Sequence, residues 1–146
     1  MYRLEFNLKK CDIMKHIQLK GRTISKGQVE GEAIVSHKPI SFLGGVSEEG
    51  IIIDRENELY GKSIKDKIFV FPTGKGSTVG SYVIYALAKK GILKGIINSQ
   101  CEVIVATGAI LGKIPLVDNI DISKISDGDR VIINGDNGTI ELFKEE

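Results

Sequence analysis

The sequence predicts an α+β domain of the β/β/α kind, and three observations carry that expectation. Short apolar or alternating segments, each about a strand in length, recur along most of the 146 residues. Only one segment, from Ser77 to Lys90, carries an unambiguous helical pattern. No internal repeat, low-complexity tract or linker divides the chain. The expected architecture is short-stranded sheets or a barrel-like core with one main helix starting near Ser77. A chain of this length suits one domain and can bury a substantial core.

Residues 1–20 read as an N-terminal extension. Apolar residues alternate in Tyr2-Arg3-Leu4-Glu5-Phe6 before a charged stretch. That pattern fits an added edge strand, a partner-binding arm or a partly disordered tail. The body, residues 21–146, begins with short β segments. Gln28 to Val35 alternates, with Val29, Ala33 and Val35 on one face and Glu30 and Glu32 on the other. Ile40 to Val46 is an apolar segment ending in a flexible turn at Gly44-Gly45, Gly50 to Asp54 reads as a brief Ile-rich strand, and Ile68 to Phe71 as another.

In the helix, Val79, Val83, Ala86 and Leu87 share a stripe. Ser77 or Thr78 can cap its start, Lys89 and Lys90 complement its end, and Gly91 supplies a left-handed stop. Gly95 to Asn98 and Glu102 to Ala106 read as strands, and Ala109 to Ile114 as a further apolar segment before Pro115. The chain closes with a hairpin: Arg130 to Ile133, a turn through Asn134-Gly135-Asp136-Asn137-Gly138, then Thr139 to Phe143.

Charge and composition exclude several classes. With 20 basic and 19 acidic residues there is no basic excess of the kind that binds nucleic acid. No apolar run approaches a membrane span, and the first residues are too charged for a signal peptide, so a cytoplasmic protein is expected. Cys11 and Cys101 are far apart and fit reduced thiols rather than a disulfide framework. His16 and His37 are isolated from other ligand types, so no metal site is expected on this chain.

The most informative stretch is Phe69-Val-Phe-Pro-Thr-Gly-Lys-Gly-Ser-Thr-Val-Gly-Ser81. A buried strand runs into a Gly-Lys-Gly loop that opens a helix, so backbone amides, the Lys75 ammonium and the Ser77 hydroxyl converge. A helix start attracts anions because its first amides lack partners and the macrodipole is positive there. The stretch is not a nucleotide-binding P-loop: the required earlier glycine falls at Phe69, and Lys75 is followed by Gly76 instead of Ser or Thr. Read alone, it fits a plain N-cap and tight turn as well as an anion site.

Other positions have equally plain readings. Cys101 fits a small core residue, and Asp54-Arg55-Glu56-Asn57-Glu58 a solvated charged turn. Gly44-Gly45 fits either a close ligand approach or a simple loop. Ala106-Thr107-Gly108-Ala109 and Asp118 line a cavity mouth or form strand-end turns. No carboxylate pair, Ser–His–Asp grouping or ligand cluster stands out. If the chain takes part in catalysis, it holds only part of the site.

Taken together, several segments resemble the small subunit of the aconitase X family. They are Gly27 to Val35, Ile40-Ser-Phe-Leu-Gly-Gly-Val46, Phe71-Pro-Thr-Gly-Lys-Gly-Ser77, Ser81-Tyr82 and Ala106-Thr-Gly-Ala-Ile110. The resemblance spans roughly residues 21 to 142. It implies a swivelling β/β/α domain that closes over a large subunit carrying a 4Fe–4S cluster, in a heterodimer, with no metal bound by this chain. It implies a hydro-lyase that removes water from (R)-5-phosphomevalonate to give trans-anhydromevalonate 5-phosphate in the archaeal mevalonate pathway. Bacterial members acting on cis-3-hydroxyproline supply an alternative, and a non-catalytic anion-binding or assembly module is another.

The family's catalytic serine corresponds to Ser77, implied as the base that takes a proton from the carbon next to the substrate carboxylate. Gly44, Gly45, Lys75, Gly76 and Thr78 are expected near substrate anions. Many members follow Gly-Lys-Gly-Ser with Ser-Thr-Gly-Ser, whereas this chain has Thr78-Val79-Gly80-Ser81. Local structure cannot activate the hydroxyl alone. A helix start stabilises an anion by about 0.3–1 kcal/mol, or ~2 when partly buried, and a pKa unit corresponds to about 1.4 kcal/mol. Lys75, the loop amides and partner groups in a dry site must contribute most of the remaining stabilisation.

Overall fold

The computed structural model describes residues 14–145. Eight strands form one mixed sheet: β1 (Met14–Lys20), β2 (Arg22–Ser25), β3 (Gln28–Val35), β4 (Lys67–Phe71), β5 (Leu93–Asn98), β6 (Leu116–Asp118), β7 (Arg130–Asn134) and β8 (Thr139–Glu145). Their spatial order is β1-β8-β7-β3-β4-β5-β6-β2. The central β3, β4, β5 and β6 are parallel, and the outer pairings are antiparallel. The strands are short, as expected, and the sheet stays open instead of closing into a barrel. Its two edge strands are nonetheless consecutive in sequence, joined by Gly21, whose amide donates to the Gly138 carbonyl at 2.7 Å. A link of one residue between opposite edges requires a strongly curled sheet.

That curl accounts for two cores. Strand β4 is buried on both faces, as a central parallel strand must be, and so reads as an unbroken apolar run. Ile68 and Val70 point into a cluster with Ala33, Val35, Val131, Ile140 and Leu142, enclosed by the sheet itself. Phe69 and Phe71 point into the other, which is roofed by two helices, α1 (Gly80–Lys89) and α2 (Val103–Gly112). Ile84 and Leu87 come from α1, Val105 and Ala109 from α2. The terminal hairpin forms as expected. Met14–Lys20 of the N-terminal extension is an edge strand, paired with β8 along all seven residues and packing Ile17 and Leu19 on the sheet-enclosed core. The alternation at residues 2–6 lies outside the described residues.

Three local expectations need correction. The main helix starts at Gly80, three residues after Ser77, because Thr78 and Val79 form a turn first. Glu102 to Ala106 is no strand: Val103–Gly112 is a second helix of ten residues. It is apolar around nearly its whole circumference, so it lacks the 3.6-residue stripe that marks a half-exposed helix. Gly50 to Asp54 forms only isolated bridges, Val46 with Ile52 and Ile51 with Ser63.

The helices lie side by side and parallel, in very close contact. A Cβ on Gly108 would sit 2.6 Å from Ile84 Cβ, and one on Gly112 would sit 2.7 Å from Ala88 Cβ. Both helices therefore begin at the carboxyl ends of the parallel strands, the end where open α/β sheets form ligand crevices.

Candidate active site

The Ser77 loop leaves β4 at that crevice. Ile40 N donates to Thr73 O (3.1 Å) and Lys75 N donates to Ile40 O (2.9 Å), so the loop is laced to the segment that leads into Phe42–Gly45. Phe42 anchors this second segment. Its ring meets Phe69 and Phe71 edge-on at 6.0 and 5.7 Å, fixing the turn above the end of β4. Gly44 has φ +87° and Gly76 φ +91°, values that L side chains rarely adopt. A Cβ on Gly76 would also overlap the Ser41 hydroxyl. Gly44, Gly45, Lys75, Gly76, Ser77 and Thr78, which the sequence suggests as one site, therefore do belong to two adjoining turns.

Lys75, Gly76, Ser77 and Thr78 are all exposed. The Ser77 hydroxyl oxygen accepts from Val79 N at 3.2 Å, and Ser77 O accepts from Gly80 N at 3.0 Å. The amides of Gly76, Ser77 and Thr78 donate to nothing among the described residues. Lys75 has no carboxylate partner among those residues. Three consecutive unpartnered N–H groups, preceded in sequence by Lys75 and followed by the turn that opens α1, offer a cationic cradle for an anion. The arrangement can hold one anionic group, and it can stabilise negative charge on the Ser77 oxygen through Val79 N.

The second helix start differs. Glu102 accepts from Ile104 N (3.0 Å) and Val105 N (2.8 Å), so its own carboxylate occupies the α2 terminus. Sequence reading missed this cap because it took Glu102 as the first residue of a strand. The available signal was an acidic residue directly before an apolar run long enough for a helix.

Other positions take structural roles. Asp118, fully buried, receives two hydrogen bonds from Arg22 (3.0 and 2.8 Å) and one from Cys101 N (2.9 Å), tying β2 and β6 to the loop before α2. Cys101 is half-buried, and burial, with Asp118 and Glu102 nearby, pushes its thiol pKa up to about 12. It is an inert packing group. Ala106 to Ala109 lies within α2, not in a strand-end turn, and packs on α1 through Gly108. His37 pairs with Glu58, and His16 with Glu141. No group of three or more potential metal ligands occurs among the described residues.

An open, curled mixed sheet is thus roofed by two helices, with the Ser77 loop leading into the first. The chain belongs to the aconitase X swivel domain family, whose model matches residues 18–142. It is 66% identical over 129 residues to the phosphomevalonate dehydratase small subunit of Methanocaldococcus jannaschii, covering 88% of this chain and 100% of that one. The structure superposes on Thermococcus kodakaraensis aconitase X, solved in a holo form, with TM-score 0.84 and 55% identity over 86% of this chain and 98% of that one. A 3-isopropylmalate dehydratase from Methanocaldococcus jannaschii shares the fold at TM-score 0.54 and 20% identity, over 82% and 84% of the two chains.

Proposed function

We propose that this chain is the small subunit of a phosphomevalonate dehydratase, a hydro-lyase that works only as a complex with its large subunit. The observation that carries the reading is the cationic cradle of Gly76, Ser77 and Thr78 amides beside Lys75, on a chain whose relatives at 54–66% identity bear that name. The substrate, (R)-5-phosphomevalonate, carries a carboxylate and a phosphate. Removing water from it requires loss of a proton from the carbon next to the carboxylate and loss of a hydroxyl group.

Ser77 is the base in this proposal. Its oxygen takes the proton, and Val79 N, the free loop amides and Lys75 favour the anionic side of that transfer. Gly44 and Gly45, with Gly76 and Thr78, let substrate oxygens approach the backbone. In this reading departure of the hydroxyl belongs to the large subunit, which would hold a 4Fe–4S cluster as the Lewis acid.

The rim of the site suits a partner. The segments carrying Leu43 and Ile104 meet at Gly80, whose Cβ position lies 3.5–3.7 Å from Ile104 Cγ2, Phe42 Cβ and Leu43 N, and Leu43, Val79 and Val103 on or next to these segments are exposed. Tyr82 adds a ring that is 71% exposed. An apolar collar around a polar loop is what a seal against water needs. No described helix is long and apolar enough to cross a membrane, and a cytoplasmic complex accords with a small-metabolite substrate.

The test is reconstitution. Mixing this chain with its large subunit under anaerobic conditions should yield dehydration of 5-phosphomevalonate, with neither subunit active alone. Turnover of cis-3-hydroxyproline in place of the phosphorylated acid would reassign the substrate. Full activity of the large subunit alone would overturn the proposal.

A further inference from the structure

We infer that Glu102 is a positioning residue for the Ser77 loop, acting through Gly74. The inference rests on the proposed dehydratase reading for its kinetic consequence, but not for its geometry. The loop and the Glu102 segment leave adjacent strands, β4 and β5, and are clamped at their bases. Asn98 Nδ2 donates to Phe71 O at 2.9 Å, and Ser99 N and Gln100 N both donate to Pro72 O at 3.0 Å. Two residues later the Glu102 carboxylate caps α2, and the same Oε1 that receives Val105 N stands over Gly74, in the space a side chain there would need. A Cβ built on Gly74 would lie 2.5 Å from Glu102 Oε1 and 2.5 Å from Val105 Cγ2. On its other side, Gly74 is bridged to Ile40, and the next amide, Lys75 N, donates to Ile40 O. Gly74 is thus held between a carboxylate and a backbone segment, and Lys75, Gly76 and Ser77 hang from it.

The residue type supports a second duty beyond capping. Ser, Thr, Asp and Asn are the preferred N-caps, because a short side chain reaches the N2 and N3 amides readily. Glutamate is one methylene longer than these, and its Oε1 serves both places at once, accepting from Val105 N and filling the space beside Gly74. A one-ångström displacement of a reacting group costs about a hundredfold in rate, so the seat of Gly74 bears directly on turnover.

Glu102→Asp separates the two duties, because aspartate caps well but withdraws the carboxylate from Gly74. In the reconstituted complex the expected result is an unchanged thermal midpoint, kcat lower by about tenfold or more and KM within about twofold, with Glu102→Gln restoring most of kcat. In parallel, the amide NMR shifts of Lys75 to Thr78 in the full chain should move in Glu102→Asp and stay near wild type in Glu102→Gln. Wild-type kcat together with unmoved loop amides in Glu102→Asp would overturn the inference. A wild-type complex that does not dehydrate 5-phosphomevalonate would instead overturn the substrate assignment, and the NMR arm would still decide the positioning role.

Discussion

Ser77 sits where several weak effects add. Its oxygen accepts from Val79 N, while its own amide and those of Gly76 and Thr78 have no partner among the described residues. None of these suffices alone, since a helix start is worth at most about 2 kcal/mol to an anion. Replacing Ser77 by Ala removes an exposed hydroxyl and one exposed hydrogen bond within the turn before α1, so folding and assembly should be nearly unchanged. Turnover in the reconstituted complex should fall by about a hundredfold or more, the scale of a lost general base. Wild-type turnover in that variant would remove Ser77 from the mechanism.

Cys101 gives an independent residue-scale prediction. Burial raises its pKa above the ordinary thiol value, to about 12, so at pH 8 the folded chain holds it as thiol and the nucleophilic thiolate is nearly absent. In a Cys11→Ser background, a thiol reagent should label Cys101 very slowly at pH 8 and rapidly once denaturant unfolds the chain. Fast labelling of the folded protein would contradict its packing.

At the element scale, the two helices are held in register by small residues. Gly108 faces Ile84 Cβ at 2.6 Å and Ser81 O at 2.9 Å from its virtual Cβ, leaving no room for a methyl group. Gly108→Ala should therefore destabilise the fold by about 1–3 kcal/mol, read as a lower denaturation midpoint in urea with an unchanged slope. Because α1 carries the Ser77 loop at its start, the folded fraction should also lose activity. The same elements mark how far a sequence can be read. The alternation in β3 and the apolar β4 run are legible because burial on one or both faces writes itself directly into the pattern. Helix α2 was not legible as a helix: its exposed Val103, Ile110 and Leu111 erase the polar stripe that would have given its period.

For the whole molecule, those exposed apolar residues take on meaning only in an assembly. Leu43, Val79, Tyr82 and Val103, all on segments at or next to the loop, are exposed. Val103 is 73% exposed, so Val103→Glu should leave the thermal midpoint of the chain alone nearly unchanged, within about 0.5 kcal/mol in stability. Its affinity for the large subunit should fall by about tenfold or more, as measured by titration, because a charge would be buried in an apolar seal. Unaltered affinity would place the collar outside the interface.

By itself the sequence determined the strand-rich class, the hairpin, and the Gly-Lys-Gly-Ser loop between β4 and the helix that follows, because these depend on local period, turn chemistry and neighbouring residues. The tertiary structure alone decided that Ser41 stands against Gly76, that Glu102 fills the space beside Gly74, and that β1 and β2 close opposite edges of one curled sheet. The physical reason is sequence separation. Contacts between residues about thirty positions apart arise from how strands order and helices pack, and pairing across the sheet leaves little trace in the composition of either segment.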